Sequence, residues 1–147
     1  MTTQITPMNN NNNNKRMRET QPTAEDVILI GRDIQNKSGL GNGSARDERT
    51  FREFFGTTAV IVLKVWLLLT THCMCPEAGT IQHLMWALHF MRAYPKEAVV
   101  CAVVGGSGGA IDPKTLRKYI WPFIHALAEV SPLVVSPLSL FTIFHYE

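Results

Sequence analysis

The sequence predicts a mainly α fold: a small helical bundle with a helix-turn-helix-like C-terminal pair, preceded by a disordered N-terminal tail. Apolar residues are concentrated after residue 56, where they recur at the three- and four-residue spacing of helices. Glycine and proline interrupt this pattern at intervals typical of short helices. The 147 residues, 46% of them hydrophobic, suffice for one core plus a tail. We therefore divide the chain into residues 1–46, 47–130 and 131–147.

Residues 1–46 are expected to form a disordered polar tail and linker. The asparagine run 9–14 has no apolar side chain to bury, and the glycine-rich segment 38–44 is typical of a flexible linker. The basic cluster 15–18 (KRMR) is compatible with nuclear import or nucleic-acid contact, but four residues are a weak signal and a solvated charge cluster is the more ordinary interpretation. The short apolar run 27–30 can be either a strand or a helical turn.

The first helix of the domain over 47–130 is expected to begin near Asp47. Phe51, Phe54 and Phe55 recur at helical spacing, and Gly56 ends the helix. A second helix, from about residue 58 to 70, is apolar almost all round. We interpret this second helix as the buried centre of the bundle.

A third helix is expected between a cap at Thr80 and a stop at Pro95. Five of its apolar residues recur on one face, which is expected to point inward: Ile81, Leu84, Met85, Leu88 and Met91. The polar residues Gln82, His89 and Arg92 fall mostly off that face.

The last predicted helix follows a short apolar run (96–104) and the glycine turn 105–109 (GGSGG). Asp112 is a suitable N-cap and Pro113 suits the first helical position, so the helix is expected to run to about Leu127. Its buried stripe is expected to contain Leu116, Ile120, Phe123, Ile124 and Leu127.

The opposite face of this helix carries three cations, an indole and an imidazole, and no carboxylate: Lys114, Arg117, Lys118, Trp121 and His125. A short helix, a turn and a helix with a basic outer face form the layout of a helix-turn-helix. Together with Thr115, which can donate to a phosphate, these residues are the predicted DNA-binding residues. The alternative is the ordinary polar outer face of a soluble helix. The net charge of +2 does not decide between the two.

Three segments of the chain resemble the helical region that precedes the nuclease domain of Harbinger-type (PIF/Harbinger) transposases: 51–56 (FREFFG), 79–95 (GTIQHLMWALHFMRAYP) and 111–127 (IDPKTLRKYIWPFIHAL). The last of them is similar to the family's TxRKWxWxFI helix, with Tyr119 in place of the commoner tryptophan. The resemblance covers roughly residues 47–130. It implies a truncated transposase-like protein that binds double-stranded DNA and is located in the nucleus.

We expect no enzyme activity from this chain. The resemblance implies that the family's catalysis lies downstream, where three acidic residues hold two divalent metals. After Asp112 the only acids are Glu129 and Glu147, and 131–147 reads as a divergent apolar tail unlike the family. No cofactor or small-molecule substrate is expected. No metal is expected either, because the ligand spacing of structural zinc sites is missing around His72, Cys73, Cys75 and His83.

Two other functions remain open. The aromatic-rich helices can instead form a protein-interaction or dimerisation module, which makes a homo-oligomer a possible partner. Alternatively, residues 58–75 can anchor a small membrane protein, although Lys64 near the middle and the short apolar run argue against a membrane span. The three cysteines and the polar N-terminus favour an intracellular location.

Overall fold

The structure, a computed structural model, describes residues 21–35 and 45–135. In these two stretches the chain forms helices and no strand, which confirms the mainly α fold. The elements are α1 (Ala24–Ile34), α2 (Ala45–Phe55), α3 (Ala59–Thr71), α4 (Ile81–Ala93), α5 (Glu97–Val104), a 3-10 turn (Gly106–Gly108) and α6 (Pro113–Val135). The expectations for 1–20, 36–44 and 136–147 lie outside the described residues.

Helix α1 belongs to the bundle, so the prediction that 1–46 is tail and linker is wrong for residues 21–35. The Thr23 backbone N–H donates to the Asp26 carboxylate (2.8 Å), and the Thr23 hydroxyl accepts from the Asp26 N–H (3.3 Å). The bond from the Thr23 N–H, and a further one that the Thr23 hydroxyl donates to the same carboxylate (2.8 Å), lower the pKa of Asp26. Val27 and Ile34 are fully buried. The run 27–30 is therefore helical, because a capping box starts the helix just before it.

Helix α4, rather than α3, is the central helix, because α4 packs against α1, α2, α3 and α6. Helix α3 begins after the Thr58 cap, whose hydroxyl accepts from the Ile61 N–H (3.4 Å). Its Val60 and Ile61 side chains are 52% and 49% exposed, although Val62 and Leu69 are fully buried. The prediction of a buried central helix over 58–70 is therefore wrong, because α3 has neighbours on only part of its surface.

His89 on α4 is buried, whereas helical spacing placed it mostly off the apolar face. Its Nδ1–H donates to the Phe54 carbonyl oxygen (3.1 Å), and its ring stacks on the Phe54 ring with centroids 4.1 Å apart. Burial lowers the pKa of His89, and the hydrogen bond to Phe54 opposes the shift. Met91, predicted to point inward, is 38% exposed. Because α2 covers the His89 side of α4, the buried surface of this helix is wider than one stripe.

Helix α6 begins at the predicted position and ends later than predicted. The Asp112 carboxylate accepts hydrogen bonds from the backbone N–H groups of Lys114 (3.0 Å) and Thr115 (3.3 Å), as expected for an N-cap. The helix then continues to Val135 instead of Leu127. The predicted boundary at residue 130 thus falls inside a helix, and the first residues of the predicted tail 131–147 extend it.

No single helix in 21–35 or 45–135 is both long and apolar enough to cross a membrane. Among the helices that the structure describes, only the pair Glu48–Phe55 and Ala59–Thr71 reaches the required length and composition together, and these two helices are bent by 53° relative to each other.

Candidate nucleic-acid interface

The connection between α5 and α6 is compact but longer than the turn of about three or four residues that is usual in a helix-turn-helix. It spans residues 105–112 and includes the 3-10 turn. A Cβ atom at Gly105 would overlap the carbonyl oxygen of Gly109. At Gly106, where φ is +56°, a Cβ atom would lie 2.5 Å from the Asp33 carbonyl oxygen. The glycines therefore allow the chain to fold back on itself and against the end of α1.

The inward side of α6 is sealed by the bundle. Leu116 and Ile120 are each 2% exposed, and Phe123 is fully buried. Ile124 and Leu127, which were predicted in the same stripe, are half-buried and pack against the core from its edge. The orientation of α6 about its own axis is therefore fixed, because any rotation would expose the three buried side chains to water.

The outward side of α6 carries nearly all of the predicted DNA-binding residues. Five of them are exposed and one, Thr115, is half-buried. The exposed residues are Lys114, Arg117, Lys118, Trp121 and His125. The structure thus brings the predicted residues together along one helix face, at positions i, i+3, i+4, i+7 and i+11.

A carboxylate that the sequence analysis missed pairs with this face. The Arg117 Nε and Glu97 Oε1 atoms are 2.8 Å apart, and Arg117 Nη2 donates to Glu97 Oε2 (3.0 Å). The side chains are 59% and 36% exposed. The hydrogen bond and the charge of Glu97 raise the pKa of Arg117. The face of α6 has no carboxylate of its own, as expected, but Glu97 reaches it from the start of α5.

Tyr119, one of the positions of the family resemblance, is half-buried against α4. Its ring stacks on the His83 ring of α4 with centroids 3.7 Å apart and an interplanar angle of 3°. His83 Nδ1 also accepts from the Thr80 backbone N–H (3.2 Å), and burial lowers the pKa of His83. The Lys118 ammonium lies 5.4 Å from the centroid of the Tyr119 ring. Tyr119 therefore attaches α6 to α4 and supports a neighbouring cation.

Comparison with known proteins adds no relative. No protein-family model, curated protein or solved structure matches this chain. The resemblance to Harbinger-type transposases remains a prediction, and the function has to be inferred from the surface of α6 itself.

The cysteines and histidines do not form a metal site in the part of the chain that the structure describes, where no three potential metal ligands come together. Cys73 and Cys75 are free thiols. Cys73 is exposed and Cys75 is half-buried. Cys101 is buried in α5, and desolvation raises the pKa of its thiol, so it behaves as a core side chain.

Proposed function

We propose that this chain is a small helical DNA-binding module in which α6 lies against duplex DNA, and that it has no catalytic centre of its own. The observation that carries the proposal is the division of α6 into two sides. Lys114, Arg117 and Lys118 point to solvent, while the aliphatic side is sealed against the bundle. Cations on a rigid helix attract the phosphates of DNA and release their counterions.

Five of the six predicted DNA-binding residues have a definite role in this proposal. Lys114 and Lys118 neutralise phosphates, and Thr115 donates to a phosphate from the first turn of the helix. Arg117 reaches a phosphate or the O6 and N7 atoms of guanine. Trp121 packs on a sugar, and His125 lies one turn further along the same face.

The resemblance to Harbinger-type transposases supports this proposal at four positions. Thr115, Arg117, Lys118 and Trp121 match the helix that the resemblance identifies as the end of the family's helix-turn-helix. The same resemblance implies a nuclear location. Catalysis is not transferred, because the acidic residues that would hold two metals have no counterpart here. Metal-dependent cleavage of DNA by the pure protein would contradict this part of the proposal.

Duplex binding by a charge-removal variant tests the proposal. The substitutions Lys114→Ala, Arg117→Ala and Lys118→Ala are expected to weaken binding by more than about tenfold at about 0.1 M salt, since up to three phosphate contacts are lost. The matched control removes three cations from α2 and α3, namely Arg49, Arg52 and Lys64. This control should bind within about twofold of the wild type. Equal losses in both variants would contradict the assignment of the face.

A second candidate function is dimerisation, which is favoured by exposed apolar side chains elsewhere in the bundle. Leu29 on α1 and Val60 and Ile61 on α3 are 54%, 52% and 49% exposed, and the two helices contact each other. Sedimentation separates the candidates: a stable dimer without affinity for DNA favours dimerisation.

A further inference from the structure

A cavity of about 210 Å³ opens beside the basic face of α6, between the end of α4 and the start of α5. Ile120 forms part of its buried floor, and Arg117 with its partner Glu97 stands at the edge. The cavity is smaller than the roughly 300–1,000 Å³ of sites that enclose a drug-sized ligand. Its size suits a single flat ring system.

Three aromatic side chains line the cavity. The Phe90 ring lies 5.9 Å from the Trp121 ring at an interplanar angle of 68°, and 5.6 Å from the Tyr94 ring at 30°. Trp121 is 48% exposed and Tyr94 is 82% exposed. Large aromatic surface is thus left in contact with water around a concave site, although burying it would be favourable.

Tyr94 is held in this exposed position by a strained backbone conformation. Tyr94 follows α4 with φ at +45°, a left-handed conformation that a bulky residue rarely adopts and that glycine or asparagine adopts more easily. Such strain is concentrated at binding sites, where the surrounding structure maintains it. The strain at Tyr94 is consistent with a ring that contributes to binding.

We infer that this cavity accepts an unpaired nucleobase of the DNA that α6 binds, stacked among Phe90, Tyr94 and Trp121. The inference rests on the proposed function. Charge complementarity favours this occupant over an apolar peptide: Lys114 and Lys118 lie on the same helix as the cavity wall, and Arg117 neutralises Glu97, the carboxylate at the edge. The strand's phosphates then lie on the cations of α6 while one base fills the cavity. The flat Arg117 guanidinium can also stack on a base.

The test compares two labelled DNAs at equal salt concentration: a fully paired duplex and the same duplex with one unpaired nucleotide. One base stacked on aromatic rings should strengthen binding by roughly 5- to 150-fold. Tyr94→Asn should remove this preference and leave binding to the paired duplex unchanged. Asparagine is chosen because it tolerates the left-handed conformation. Met91→Ala, which removes an exposed apolar side chain outside the cavity lining, is the matched control.

The outcomes separate the inference from the proposed function. Preference for the unpaired nucleotide that disappears in Tyr94→Asn and persists in Met91→Ala supports the inference. Equal binding of both DNAs overturns the inference and leaves the proposed function standing. A preference that survives Tyr94→Asn overturns the assignment to this cavity. Absence of binding to either DNA overturns the proposed function, and the inference with it.

Discussion

Replacing Glu97 with glutamine should strengthen DNA binding. Glu97 holds the Arg117 guanidinium through contacts of 2.8 and 3.0 Å, and its carboxylate repels any phosphate that approaches the same cation. In Glu97→Gln the repulsion disappears and Arg117 is free to bind a phosphate. Two unit charges about 7 Å apart in water repel each other by about 0.6 kcal/mol, which corresponds to about a two- to threefold change in affinity.

A newly gained phosphate contact adds to this effect. One further neutralised phosphate makes the slope of log K against log salt steeper by about 0.9. If the contact adds no affinity at 1 M salt, this slope raises the affinity at about 0.1 M salt by up to about eightfold. The two effects multiply, so we expect affinity to rise by between about twofold and about twentyfold at about 0.1 M salt.

Fluorescence anisotropy with a labelled duplex, repeated over a range of salt concentrations, measures both the affinity and the slope. The matched control is Glu53→Gln, which frees Arg49 from a similar exposed ion pair (3.0 Å) on α2 and should leave affinity nearly unchanged. Unchanged or weaker binding by Glu97→Gln, or an equal gain in the control, would mean that Glu97 does not restrain Arg117 from contacting DNA.

Three predictions concern the bundle that positions this face. Phe123→Ala should cost about 3–5 kcal/mol in urea denaturation because the ring is fully buried; a smaller loss would mean that α6 is loosely held. Gly31→Val should cost about 1–3 kcal/mol because a Cβ atom there lies 2.5 Å from the Phe51 ring, whereas no effect would mean that α1 is not part of the fold. Since burial lowers the pKa of His89 from its ordinary value of 6.5, its contribution to stability is full above about pH 6.5 and is lost as the pH falls. Stability should therefore fall as the pH drops below about 6.5, and fall less in His89→Gln; an equal fall in the variant would contradict this assignment.

The start of α6 and its two sides could be predicted from the sequence because they depend on local rules. Asp112 and Pro113 mark a helix start through backbone hydrogen bonds made within one turn. The separation of Leu116 from Arg117 follows from the helical period alone. The capping-box spacing of Thr23 and Asp26 also indicates the start of α1. The polar residues around it and the short apolar run that follows favoured a tail instead.

Other features could not be predicted because they depend on which helices meet. The pairing of Glu97 with Arg117 joins residues 20 positions apart across the glycine connection. The burial of His89 depends on α2 lying against that side of α4. The cavity near Tyr94 requires three helix segments to converge. Periodicity describes one helix at a time, so it contains none of these relations.

The salt dependence of duplex binding by the wild-type chain shows directly whether the cations of α6 contact the phosphates of DNA. If Lys114 and Lys118 neutralise about two phosphates while Arg117 stays paired with Glu97, the slope of log K against log salt is about −1.8, and affinity falls about 12-fold between about 50 and about 200 mM salt. The variant without Lys114, Arg117 and Lys118 should then have a slope close to zero. A wild-type chain whose binding is absent, independent of salt, or matched in slope by that variant would contradict the account.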